Sequence, residues 1–362
     1  MSAPSRLGVP HVPENPNPTA ARRSVGITQV AKHAGVSPGT VSNVLNRPER
    51  VATETRERVE AAIRELDYVR NSSGSNLRSG RSDCVGLLVL DVTNPYFTEV
   101  ARGVEDEAVE SGLAVLLLNS AEDHGRQERN LRLLAGQRAA GAVVMPIDDD
   151  LSDLRWLSKQ GIPWVALDRG DVPVEEGCSV SVDNEAGGLA AGRHLIGLGH
   201  ERIAFLTGPF SIDQVHRRHQ GLLQAVIEAG LDPDTALDLV HVPQLNPEQG
   251  EKAVDTVLAG GPRQRSTAVF CANDQLALGF LKGLGRRGLR APDDISVMGY
   301  DDIDVAALVH PGLTTVAQPK YKLGRTAMSL LREHFDDPGH RHERRLFTPE
   351  IVLRGSTAAH RA

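Results

Sequence analysis

The sequence predicts an α/β protein: two doubly wound parallel-sheet lobes preceded by a small all-α headpiece. Three observations carry this. After Ser82 the order strand, loop, helix recurs in two successive sets, as in βα units packed on a parallel sheet. Runs such as Cys84–Leu90 (CVGLLVL) are apolar without alternation, which marks a strand covered on both faces. Before Ser82 only short helical patterns occur, punctuated by Gly35 and Pro38. A chain of 362 residues then divides into a headpiece of about 60 residues and a core of roughly 270, large enough for two lobes.

The headpiece is read first. Ile27, Val30, Ala31 and Ala34 recur at helical spacing and stop at Gly35, a residue that takes the left-handed conformation closing a helix. Ser37 can cap a second helix, with Pro38 at its first position, where a missing N–H costs nothing. This helix runs to about Leu45, and its exposed positions carry Gly39, Thr40, Ser42 and Asn43. A third helix starts at Thr53, with Val59, Ala62, Ile63 and Leu66 forming one apolar face. Helix, tight turn, short polar-faced helix and supporting helix read as a helix-turn-helix DNA reader.

Charge agrees with that reading. Residues 1–82 hold 12 Lys/Arg against 7 Asp/Glu, net +5, whereas the remainder is net −12. A basic end on an acidic chain suits phosphate neutralisation by that end alone. Residues 1–25 are Pro-rich and are expected to be a disordered tail; they lack the apolar stretch of a signal peptide. No apolar run reaches the length of a membrane span, so a cytoplasmic protein with no membrane contact is expected. Cys84, Cys178 and Cys271 are odd in number and far apart, which predicts packed free thiols.

In the core, the first set reads as strands 84–90, 113–118, 141–145 and 163–167, with helices 97–110, 125–139 and 151–159 between or after them. The second reads as strands 203–207, 237–242, 267–271, 295–300 and 313–317, with helices 214–229, 247–259 and 273–287. Ligands of such lobes lie beyond the carboxyl ends of the strands. Six of those ends carry a polar group: Asn94 with Tyr96 and Phe97, Asp168 with Arg169, Arg218, Asn273, Asp301 and Gln318. Carboxylates and amide oxygens accept from hydroxyls, Arg and Asn donate, and the rings cover an apolar face, as a neutral polyol requires. Neither GxGxxG nor a phosphate loop follows any strand, and no Ser/His/Asp arrangement can be drawn, so neither an enzyme nor a cofactor is expected. His216 and His219 flank Arg217 and Arg218, and His340 and His342 sit in an Arg-rich turn. With no Cys or carboxylate at ligand spacing, neither pair reads as a metal site.

The run Val30-Ala31, Ala34-Gly35-Val36-Ser37, Thr40-Val41-Ser42 and Val44-Leu45-Asn46 resembles the headpiece of the LacI family of bacterial transcription regulators. Leu77-Arg78-Ser79-Gly80 resembles the end of that family's hinge helix, and the likeness continues to about residue 356. Gly26 and Gln29 stand where the family usually has Thr and Asp, which weakens the first cap. Ser72, Ser73, Gly74 and Ser75 replace an Ala-rich hinge run.

The resemblance implies a homodimer on a near-palindromic double-stranded operator, with Ser37, Pro38, Gly39, Thr40, Ser42, Asn43 and Asn46 against the DNA. Leu77 and Arg78 of the hinge would enter the minor groove. It implies a periplasmic-binding-protein-like core with a ribose-type pocket built from the six strand ends, hence a repressor of carbohydrate-use genes controlled by a sugar-like effector. A purine-responsive corepressor-type regulator and a cytoplasmic sugar-binding module are the alternatives. The expected divisions are tail 1–25, headpiece 26–70, hinge helix and linker 71–82, and core 83–356. Within the core, the first lobe takes about 83–181 and 319–340, the second about 182–318 and 341–356.

Overall fold

The computed structural model describes residues 25–69, 82–259, 261, 265–337 and 339–360. The expected tail up to residue 24 and the hinge, with Leu77 and Arg78, lie outside the described residues. Two compact units fall within residues 1–75 and 76–362.

In the first unit, helices Ile27–Ala34 (α1), Pro38–Asn46 (α2) and Thr53–Glu65 (α3) enclose a small core of Val30, Ala31, Ala34, Val41, Val44, Val59 and Ala62. Gly35, at φ 66°, reverses the chain between α1 and α2. The Ser37 hydroxyl then accepts from the Thr40 N–H at 3.1 Å and caps α2. The cap of α1 is stronger than its residues suggested: the Gly26 N–H donates to Gln29 Oε1 at 2.7 Å, so the reciprocal half of a capping box survives without a Thr.

The core unit begins with Cys84–Val89 (β1), Pro95–Glu110 (α4), Ala114–Asn119 (β2), His124–Gly136 (α5), Gly141–Val144 (β3), Ser152–Lys159 (α6), Trp164–Leu167 (β4) and Cys178–Val182 (β5). Next come Asn184–Gly197 (α7), Ile203–Thr207 (β6), Asp213–Glu228 (α8), Pro233–Ala236 (α9), Leu237–His241 (β7) and Pro247–Lys252 (α10). They are followed by Val254–Val257 (α11), Ala268–Cys271 (β8), Asp274–Arg286 (α12), Ser296–Asp301 (β9), Asp304–Leu308 (α13) and Thr314–Ala317 (β10). Lys320–Asp336 (α14), Arg344–Phe347 (β11) and Glu350–Val352 (β12) close the chain. No described helix is long and apolar enough to cross a membrane.

Among the described residues the strands form two six-stranded sheets, in the orders β11-β5-β4-β3-β1-β2 and β12-β10-β9-β8-β6-β7. All neighbours are parallel except β12, which runs antiparallel to β10. The strand order reverses beside β1 in one sheet and beside β6 in the other, and at such switch points the strand ends open a crevice. The chain passes from the first sheet to the second after β5, returns after β10, and crosses again after β11. The last passage corrects the expected boundary at 341: β11 pairs with β5 and belongs to the first lobe. Its side chains are largely exposed (RRLF), so no buried apolar run announced it.

Helices α7 and α8 pack at backbone distance. A Cβ at Gly188 would collide with the Arg218 carbonyl, and one at Gly221 with that of Glu185. This approach seats α8, and with it Gln214 and Arg218, against the crevice.

Candidate functional site

On the headpiece, Val41 and Val44 turn α2 inward, while Ser37, Pro38, Gly39, Asn43 and Asn46 are exposed and Thr40 and Ser42 half-buried. Several polar groups on this face are already engaged. Ser37 and Thr40 hydroxyls lie 3.0 Å apart, and Asn46 Nδ2 donates to the Ser42 carbonyl at 2.7 Å and to its hydroxyl at 3.2 Å. Asn46 therefore holds the end of α2 as well as facing outward. Asn43 is exposed between them, placed as an amide that can pair with adenine. Asn43→Ala should change the ranking of operator variants, by about 1–3 kcal/mol at the base it reads. A binding series on single-base operator variants measures this; a uniform loss across the series would contradict the assignment.

In the core, the strand ends surround a cavity of about 300 Å³ lined by Asn94, Tyr96, Phe97, Asp168, Arg218, Asn273, Asp301 and Gln318, among others. Each has a local cause for its position. Asn94 caps α4, its side chain accepting from the Tyr96 N–H at 3.0 Å. Asn273 caps α12 through the Leu276 N–H at 2.9 Å, while its Nδ2 donates to the Leu245 carbonyl at 3.0 Å. Both are caps and both line the cavity, so the two readings of such residues are compatible.

Arg218 is the buried cation of the site. Its Nε donates to Asn184 Oδ1 at 2.8 Å and its Nη1 to the Ala272 carbonyl at 2.6 Å. Its guanidinium stacks 3.6 Å from the centre of the Tyr300 ring and stands 4.0 Å from Asp301. Gln318 Nε2 donates to Asp301 Oδ1 at 2.7 Å, and the Tyr96 hydroxyl donates to Gln318 Oε1 at 3.4 Å. Burial raises the pKa of Asp301, and Arg218 and Gln318 pull it back.

Asp168, in the left-handed region at φ 57°, is pushed up to about 7 by burial, against the pull of Arg218 and helped by Asp301. Its Oδ1 is buried without a hydrogen-bond partner. An acceptor of that kind costs about 1–3 kcal/mol unless something fills it.

One expected residue is elsewhere. Arg169 points away from the cavity, bound to Asp149 and to Asp171, the latter at 2.5 Å. Adjacent side chains of the loop after β4 leave in different directions, and the two carboxylates hold the guanidinium on the far side. Residues not foreseen fill the gap. Gln214, at the start of α8, donates to the Asp168 carbonyl at 2.9 Å. Glu122 lines the wall at φ 56°, its pKa raised by burial and by Asp91. Ile212, Val215 and Leu245 add apolar lining to that of Tyr96 and Phe97. The place of Gln214 in the first turn of a helix following β6 was the available signal.

A helix-turn-helix unit joined in one chain to a two-lobed core with a buried polar cavity defines a ligand-responsive DNA-binding regulator. Residues 26–71 match the model of bacterial regulatory proteins of the lacI family, and residues 193–357 match a periplasmic binding protein-like domain. The chain is 37% identical over 335 residues to the HTH-type transcriptional repressor PurR of Photobacterium profundum, covering 91% of this chain and 98% of that protein. Among solved structures, it resembles a lac repressor dimer bound to operator and an anti-inducer (27% identity, TM-score 0.78, 93% of this chain and 100% of that one). It also resembles a LacI family regulator from Enterococcus faecium with bound ribose (30% identity, TM-score 0.69, 77% and 100%). The chain belongs to the lacI family of bacterial transcription regulators. It is a DNA-binding repressor and not an enzyme.

Proposed function

We propose that this repressor acts as a homodimer on a near-palindromic operator and that its effector is a neutral polyol of monosaccharide size. The observation that carries the ligand reading is the buried, unpartnered Asp168 Oδ1 on the wall of a cavity of about 300 Å³. That volume lies at the small end for ligand sites. Carboxylates and amides dominate the polar lining, and the apolar lining combines the aromatic Tyr96 and Phe97 with aliphatic Ile212 and Leu245. A sugar offers apolar C–H surface and a rim of hydroxyls, which suits a lining rich in hydrogen-bonding groups beside a few apolar side chains. The relatives called PurR favour the second reading, a purine.

Leu116 and Leu117 on the edge strand β2 and Leu133 on α5 are exposed apolar side chains for a second copy to cover. As an operator-binding protein the chain works in the cytoplasm.

Calorimetric titration of the full-length chain with ribose and with hypoxanthine separates the two readings. Saturable binding of a monosaccharide supports the proposal; binding of hypoxanthine with no response to any sugar of a panel overturns it. The same titration carries a proton signature. Asp168, facing Arg218, Asp301, Asp213 and Gln214, is half-protonated near neutrality. Ligand hydroxyls favour its charged form, so a polyol should release protons on binding at about pH 7, and affinity should rise with pH through that range. Titration in buffers of different ionisation enthalpy measures the release; proton uptake would contradict it.

A further inference from the structure

At the end of the first sheet away from the cavity lies a second cluster of reactive side chains. Ser179 of β5 is level with Arg344 of β11, so Cys178 meets the segment leading into β11. Cys178 Sγ stands 3.1 Å from His340 Nε2 and 3.6 Å from His342 Nδ1. All three ligand atoms lie within 4.8 Å of one another, and no other such group of three occurs among the described residues. The ring of His334, in the last turn of α14, stacks with His342 and lies tilted to His340, each at 5.5 Å between centroids. The thiol missing from the neighbourhood of His340 in sequence is thus delivered by a strand 162 residues away.

The donor set is that of a borderline-soft ion. Thiolate and imidazole together suit zinc, whereas calcium and magnesium take oxygen ligands. Zinc bonds of about 2.3 Å to sulfur and 2.0 Å to nitrogen put tetrahedral ligands about 3.5 Å apart, close to the separations here. The Glu343 N–H donates to Cys178 Sγ at 3.4 Å, the kind of outer bond that steadies a metal-bound thiolate. Nearby cations are occupied: Arg345 pairs with Glu343, and Arg344 Nε donates to the Val172 carbonyl at 2.7 Å. Cys178 is buried while the two histidines are half-buried, which leaves an approach from solvent.

We infer that Cys178, His340 and His342 form a zinc site that fastens the segment between α14 and β11 to the start of β5. The cavity opens at the opposite, carboxyl ends of these parallel strands, so the ion is separate from effector binding, with three protein ligands and the fourth position left to water.

The test uses the full-length, tag-free chain, stripped with chelator and dialysed against zinc chloride or cobalt chloride. One zinc per chain is expected, with a raised thermal midpoint. Cobalt should give the intense visible bands of a tetrahedral site and a thiolate charge-transfer band. Cys178→Ser should abolish that band and weaken zinc binding more than about 100-fold, beyond the usual effect of an outer-sphere change. Circular dichroism checks that the variant folds; if it does not, His342→Ala carries the zinc-affinity comparison in its place. Retention of stoichiometric zinc and its stabilisation in the folded variant, or octahedral cobalt without a thiolate band in the wild type, would overturn the inference.

Discussion

Arg218→Met should destabilise the core by about 3–5 kcal/mol, the usual cost of removing one partner from a buried charge cluster. Arg218 is 5% exposed and is the guanidinium facing both Asp168 and Asp301. Its loss also strips donors from Asn184 Oδ1 and the Ala272 carbonyl. The effect should depend on pH with a definite sign. Arg218 lowers the pKa of both carboxyls, so its removal drives both further up. A carboxyl with a raised folded-state pKa binds its proton more tightly in the native state, and stability then falls as pH rises from the unfolded value through the folded one. The deficit of the variant should be larger at about pH 8 than at about pH 5. Urea unfolding at the two values measures it, and an equal loss at both would show that the cation does not hold these carboxylates.

Asp301→Ala should weaken effector binding at least about tenfold, since it leaves buried donors unmatched at about 1–3 kcal/mol each. Gln318 Nε2 loses its acceptor, and Arg218 loses one of its two facing carboxylates. Operator affinity without effector should be nearly unchanged, because the reading helix belongs to the other compact unit. In cells the variant would be deaf to its signal: permanently repressing if the effector is an inducer, permanently derepressed if it is a corepressor. Operator binding with and without saturating effector reads both quantities. Joint loss of DNA binding and thermal stability would make Asp301 a purely structural residue.

What could be read from the residues follows from how local each signal is. The headpiece was legible because Gly35, Ser37 and Pro38 act on their own few neighbours. The strand ends were legible because a parallel strand delivers its next polar residues to the crevice whatever the rest of the chain does. Arg169 was misplaced because its direction depends on Asp149, twenty residues earlier and silent in the pattern. Gln214 and Glu122 escaped notice because each acquires meaning only when two separate loops meet. β5 alternates (CSVSV), and β11 and β12 are short edge strands, so none carries the continuous apolar run that marks the central strands. The pairing of Cys178 with His340 and His342 is the extreme case, created wholly by which strand lies beside which.

The hydrogen bond from Gln214 to the Asp168 carbonyl joins the second lobe to the first, and Gln275 Nε2 reaches the Thr93 carbonyl across the same gap at 3.0 Å. These two amides make a latch that belongs to the protein itself. An effector acting through lobe closure would compete with, or add to, these neutral hydrogen bonds, worth about 0.5–1.5 kcal/mol each. Of the two glutamines only Gln275 lies outside the cavity lining, so changing it alone would alter the lobe-to-lobe contact without touching the effector's own contacts. Since a ligand moves an equilibrium only by its difference in affinity for the two states, the same latch limits how far any effector can swing transcription. A change at Gln275 would therefore shift repression in the absence of signal while leaving the pocket intact.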